Sequence, residues 1–222
     1  MEAEFAIQEK NINFTDWRVD YYKTESFKKI FQLKIIKSIT EIVSFGFGKN
    51  GDLEDVKNHI FESDNIGLIY VDDKMVGFAT TRNYFDIDLC YLHGIVVSTT
   101  HKGLGTFLLK KMFLNSEMSL CGFTTQNPAM YLTAKKCTSS LFPDPNFETS
   151  EDYVLLGKKL TVDRPGVYQN IMSIKNLYPD CLYEKIPKSN DLNIWSWWNN
   201  LVEIDNYGES KDGIVFIGKI NY

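Results

Sequence analysis

The sequence predicts an α/β layered domain with a mixed sheet, and three observations predict it. An apolar residue recurs every four positions near the start, short β-rich runs take over in the middle, and a continuous apolar run closes the chain. The 222 residues suffice for one large domain, and a hydrophobic content of 44% can fill its core. No glycine, serine or proline linker divides the chain, so residues 1–222 are expected to form a single domain.

After Thr24, a candidate N-cap, Phe27, Phe31, Ile35, Ile39 and Val43 recur with Ile30, Ile36 and Ile42 beside them. This spacing predicts the longest amphipathic helix of the chain, ended by Gly46 and Gly48. Asp52 can cap a shorter helix carrying Leu53, Val56 and Ile60 on one side. Ile66 to Val71 and Met75 to Thr81 then read as two strands joined by the turn residues Asp72-Asp73-Lys74. A third strand, Leu89 to Val97, runs into Thr99-Thr100-His101-Lys102-Gly103-Leu104-Gly105. Beyond it Leu104, Phe107, Leu108 and Met112 share one helical face. Ser119 to Thr125 reads as a fourth strand, and Pro128 suits the first turn of a helix reaching about Cys137. Residues 140–210 select no element, and the prolines from Pro143 to Pro187 mark this stretch as irregular. Gly213 to Ile220 is apolar enough for a strand internal to a sheet.

Composition excludes several classes. A net charge of −5 lacks the basic face that a nucleic-acid backbone demands, and it tolerates a cationic substrate. Cys90, Cys121, Cys137 and Cys181 form no C-x-x-C pair, and with three histidines the chain offers no zinc spacing; the thiols are expected to be reduced and no metal is expected. The acidic start and the lack of any apolar run near the ~20 residues that span a bilayer predict a soluble, cytoplasmic protein with no membrane partner.

The chemistry is expected where the third strand meets the helix. A helix start carries amides without intrahelical partners and the positive end of the peptide dipole, so it favours a phosphate. Gly103 and Gly105 let the backbone approach a ligand closely, and Lys102 adds a charge. Gln126-Asn127-Pro128, after the next strand, opens the following helix close by.

Together these elements resemble the GNAT acetyltransferase superfamily. Tyr91-Leu92-His93-Gly94-Ile95-Val96-Val97 is similar to its cofactor strand, and Gly103-Leu104-Gly105-Thr106-Phe107-Leu108-Leu109 to its pyrophosphate turn and helix. Phe123 to Tyr131 is similar to the next strand and helix, and the hairpin Gly67–Thr81 to the preceding strands; the likeness covers about 65–138 and the final strand, leaving 140–210 atypical. Thr100 and His101 stand where the family carries Gln or Arg and a glycine, and Ala134 where it often carries tyrosine.

The resemblance implies a three-layer domain with a mostly antiparallel central sheet flanked by helices, and N-acetyl transfer from acetyl-CoA, a co-substrate, directly to an amine. It implies that the two strands splay and that the pantetheine arm bonds along Ile95, Val96 and Val97. The pyrophosphate would meet His101, Lys102, Gly103, Leu104, Gly105 and Thr106, and Asn127 the cofactor arm. A lysine-like amine must lose a proton first, which costs about 4–5 kcal/mol at neutral pH. His93, beside the thioester, is the candidate base, and Tyr131 the candidate acid for the leaving thiolate.

Two other classes stay open: a non-catalytic acyl-CoA-binding module, and an interaction protein that uses Trp195, Trp197 and Trp198 as a contact surface, in a homodimer for instance. The run Gly46-Phe47-Gly48-Lys49-Asn50-Gly51 matches a dinucleotide fingerprint in letters only, because it closes a helix pattern instead of following a strand.

Overall fold

The computed structural model describes residues 17–30, 33–98, 102–164, 166–168, 172–205 and 208–222. In chain order the elements are β1 (Trp17–Lys23), α1 (Thr24–Ile30), α2 (Leu33–Phe47), α3 (Leu53–Phe61), β2 (Asn65–Val71), β3 (Lys74–Tyr84), β4 (Leu89–Val97) and α4 (Leu104–Ser116). There follow β5 (Leu120–Thr125), α5 (Pro128–Lys135), β6 (Thr138–Phe142), α6 (Glu151–Leu160), β7 (Val167–Tyr168), β8 (Ser173–Lys175), α7 (Leu192–Leu201) and β9 (Gly213–Ile220).

All these strands join one sheet in the order β1-β2-β3-β4-β5-β9-β8-β7, with β6 pairing β9 as well. Only β4 and β5 run parallel; the other pairs are antiparallel, so the sheet is mixed and mostly antiparallel as expected. The β2–β3 hairpin turns on Asp72 and Asp73, both with left-handed backbone (φ 48° and 59°), which short acidic side chains tolerate.

Period-two alternation sends neighbouring side chains to opposite faces. Ile66, Leu68 and Phe78 meet Phe27, Ile36, Ile39, Val56 and Ile60 from α1, α2 and α3 on one face. Ile69, Val71, Val76 and Ala79 meet Leu104, Leu108, Leu109, Met112 and Phe113 of α4 on the other. The sheet is therefore flanked by helices on both sides, as expected.

The apolar rhythm from residue 27 is carried by two helices, α1 and α2, where one was expected; residues 31–32 between them lie outside the described part. β1 was not expected at all. It is an edge strand with half-buried residues and the charges Arg18, Asp20 and Lys23, which blur the alternation. Within 140–210 the chain forms α6, α7 and the very short β7 and β8. The tryptophan segment is helix α7: Trp198 is fully buried and stacks on Phe216 of β9, while Trp197 packs on Tyr131.

Candidate functional site

β4 and β5 pair only from Leu89↔Leu120 to Leu92↔Phe123, after which β4 continues to Val97 with no strand beside it on that side among the described residues. Burial follows the pairing: Leu89 to Leu92 are buried, whereas His93 to Val97 are only half-buried. The direction of the backbone groups on this free edge follows from the ladder. Ser98 N–H donates to Val76 C=O, and antiparallel pairs alternate between bonded and non-bonded. Gly94 and Val96 therefore spend their main-chain groups on β3, while Ile95 and Val97 turn theirs to the free edge. Among the described residues, no hydrogen bond reaches the main chain of Ile95 or Val97 from that side.

At the point of divergence β4 carries a bulge: Thr80 faces Gly94 and Thr81 faces Leu92, leaving His93 as the extra residue. Its carbonyl accepts from His59 Nε2 of α3 at 2.8 Å, and the two imidazoles stack with centroids 4.2 Å apart. Gly94 permits this approach, because a Cβ there would lie 3.0 Å from His59 Nε2. Ser63 Oγ lies 3.1 Å from His93 Nδ1. Tyr91, one turn of the pleat away, shares a hydrogen bond with Thr124 across the crotch (3.1 Å). Local sequence gave no hint of His59 and Ser63, which lie 34 and 30 residues before His93 and reach it only through the packing of α3 on the sheet.

Burial, then the neighbouring His59 and the charges of Arg164 and Arg82, push the His93 imidazole down to about 4. Burial also lowers His59, against the opposing pull of the His93 carbonyl and of Asp55. Both groups thus bind protons less readily folded than unfolded, where the ordinary value is 6.5. The unfolded chain takes up more protons below that value, so this share of stability is complete above pH 6.5 and lost as the pH falls to about 4. Urea midpoints measured across that window should fall with acid, and the slope should flatten in His59→Gln. An unchanged slope would show that the pair does not titrate in this way.

At the far end of the free edge, α4 begins at Leu104 after Gly103, whose backbone is left-handed (φ 89°) and which supplies no side-chain cap. Phe107 N–H bonds back to Gly103 C=O, and among the described residues the amides of Leu104, Gly105 and Thr106 have no such partner. Among the described residues, a Cβ built on Gly105 would touch only Val97 Cγ2, at 3.9 Å. Leu104 is buried beneath this turn, Thr106 directs its carbonyl to Cys137 Sγ (3.5 Å), and Lys102 is exposed. Thr99, Thr100 and His101 lie outside the described residues.

The remaining expected residues are engaged inside the protein. Asn127 Oδ1 caps α5 by accepting from Ala129 N–H (2.9 Å), and its Nδ2 faces Tyr183 Oη at 3.4 Å. Tyr131 is fully buried; its hydroxyl donates to Asp144 (2.8 Å) and accepts from Lys135 (3.0 Å), and its ring packs on Phe216 of β9, so it faces β9 and not the free edge of β4. Burial raises this phenol to about 12.

Residues 181–184 form a strap between β5 and α2. Gln126, fully buried, accepts from Leu182 N–H (2.8 Å) and donates to Ser210 and Asp212 carbonyls (2.6 and 2.9 Å). At the other end Glu184 N–H donates to Phe47 C=O (2.9 Å), next to Gly46, which packs against Val96. Among the described residues no group of three or more His, Cys, Asp or Glu is placed to hold a metal ion, and no helix is long and apolar enough to cross a membrane.

No protein-family model and no curated protein matches the chain. Acetyltransferases are among the solved structures similar to it. A ribosomal-protein alanine N-acetyltransferase from Escherichia coli is 11% identical over 92% of this chain and 96% of its own, with a TM-score of 0.46. A GNAT-family acetyltransferase from Elizabethkingia anophelis, with acetyl-CoA bound, is 13% identical over 92% and 98%, with a TM-score of 0.47. A candidate acetyltransferase from Pyrococcus horikoshii is 16% identical over 62% of this chain; the chain spans 49% of its length, with a TM-score of 0.44. At such identities the chemistry must come from this chain's own residues.

Proposed function

We propose that the protein is a GNAT-like N-acetyltransferase that moves an acetyl group from acetyl-CoA to an amine. The carrying observation is the edge of β4 beyond Leu92, where Ile95 and Val97 present strand-like donors and acceptors to an unpaired gap. A pantetheine arm, with amides spaced along an extended chain, is a partner of the right chemistry for such an edge. The edge leads to the first amides of α4 and to Gly103 and Gly105, a turn without Cβ atoms at a helix start, which suits the approach of a diphosphate. The thioester then lies beside His93.

In this reading the amine nitrogen forms the new C–N bond as the C–S bond breaks and its electron pair leaves on sulfur. His93 Nε2 takes the amine's proton and returns it to the departing thiolate, which regenerates neutral imidazole. Tyr131, bonded to Asp144 and Lys135, has a structural role in place of the acid role. A base that titrates at about 4 cannot strip a proton from a free ammonium, but it can accept one from nitrogen made acidic by its new acyl bond. The acceptor must therefore arrive neutral.

This favours α-amines over lysine side chains, since ordinary pKa values near 7.7–8.0 and 10.4 leave neutral fractions that differ by a factor on the order of 10² at pH 7. With matched peptides, one with a free α-amine and one α-blocked with a free lysine, kcat/KM should differ by about that factor, and the gap should close toward pH 10. Coenzyme A release is the assay, run beside calorimetry with acetyl-CoA. Binding without release on any amine would favour the acyl-CoA-binding module, and no binding at all would end the acetyl-CoA reading.

A further inference from the structure

The hydrogen bonds around the two stacked imidazoles determine where their protons sit. His59 Nε2 meets a carbonyl oxygen, which can only accept, so Nε2 of His59 carries a proton. Ser63 Oγ lies 3.0 Å from His59 C=O and 3.1 Å from His93 Nδ1, yet a hydroxyl has one proton to give. The end of α3 decides which way it goes. Ser63 N–H, the amide that would continue the helix onto His59 C=O, bonds to Ile60 C=O instead (3.1 Å), and Glu62 N–H is taken by Asn58. The His59 carbonyl, freed from the helix ladder, accepts from the Ser63 hydroxyl and lies within reach of the His93 ring as well. His93 Nδ1 must then be the donor to Ser63 Oγ, and the lone pair of His93 is on Nε2.

No side-chain hydrogen bond reaches that nitrogen among the described residues, and His93 is half-buried at the bulge where β4 and β5 part. The charged and titratable neighbours are Asp55, His59 and Glu62 of α3, Arg82 of β3, and Arg164 after α6. Of these, His59 both stacks on the His93 ring and brings its main-chain carbonyl within hydrogen-bond reach of it.

We propose that Ser63 and His59 are positioning residues that hold His93 as the Nδ1–H tautomer and present its Nε2 to the acceptor amine. His59 contributes twice: its Nε2–H pins the bulged carbonyl of His93, and its ring stacks on the imidazole, so that both backbone and side chain of His93 are fixed. Ser63 sets the tautomer. The inference rests on the acetyl-transfer reading for its catalytic meaning, but the tautomer itself does not.

Nitrogen NMR of the imidazoles in the full chain tests it, since three histidines can be assigned with His59→Gln and His101→Gln. At pH 7 the wild type should show His93 protonated on Nδ1 and bare on Nε2. Ser63→Ala should shift His93 toward the other tautomer and lower kcat by about tenfold, with KM for acetyl-CoA unchanged. Ser63→Thr, which keeps a hydroxyl, should restore both. A wild-type His93 protonated on Nε2, or Ser63→Ala with unaltered tautomer and kcat, overturns the positioning role. The expected tautomer in a protein that acetylates no amine overturns the enzyme reading instead, and the base role of His93 with it.

Discussion

His93→Ala is expected to lower kcat by about 10²–10⁴-fold, the range of a lost general base, while leaving the affinity for acetyl-CoA close to the parent. The split follows from position: the imidazole stands at the crotch of the two strands, whereas the cofactor would be held along Ile95 to Val97 and at the start of α4. The pH profile adds a second signature. Because His93 is pushed down to about 4, kcat of the parent should hold its plateau well below neutral pH and fall only near that value, and this limb should vanish in the alanine variant. His93→Asn, whose amide can still meet Ser63 Oγ, serves as the control for folding. A variant as fast as the parent at every pH would show that water, not His93, takes the proton.

Trp198→Ala is expected to cost about 3–5 kcal/mol of folding stability, the range for removing a buried aromatic ring. Trp198 is fully buried, stacked on Phe216 at 6.1 Å and edge-on to Trp197. Its indole Nε1 is buried and has no hydrogen-bond partner among the described residues. Trp198→Phe removes that donor along with part of the volume and should therefore cost much less than its lost area suggests. Urea denaturation of the two variants gives the comparison; equal losses would mean that the Nε1 is solvated after all. The result also bears on the tryptophan segment as an interaction surface, because Trp198 is committed to the core.

Much of the central sheet was legible in the sequence. β4 and β9 occupy the expected residues, since an unbroken apolar run between turn signals leaves little freedom in its limits. The Asp52 cap and the Asp72-Asp73 turn were legible because their chemistry is local. β7 and β8 were not: two- and three-residue strands have no period of their own and exist through pairing with each other and with β9. The same distinction holds at the site. The glycine start of α4 follows from consecutive residues, so the sequence pointed to it, whereas the free edge was expected from the family resemblance alone. The partners of His93 do not follow from consecutive residues, because α3 delivers His59 and Ser63 across the sheet. Tyr131 shows the converse: its spacing placed it on a plausible helix face, but the neighbours that claim its hydroxyl, Asp144 and Lys135, were not visible from spacing alone.

All four cysteines are free and buried, each in a different part of the architecture. Cys90 and Cys121 sit opposite one another in the paired half of β4 and β5, Cys137 lies where α5 touches α4, and Cys181 begins the strap. The chain thus contains native reporters of its own breathing: a thiol reagent cannot reach any of them without an opening, and the order in which they react would rank how readily the strap, the helix layer and the sheet centre come apart.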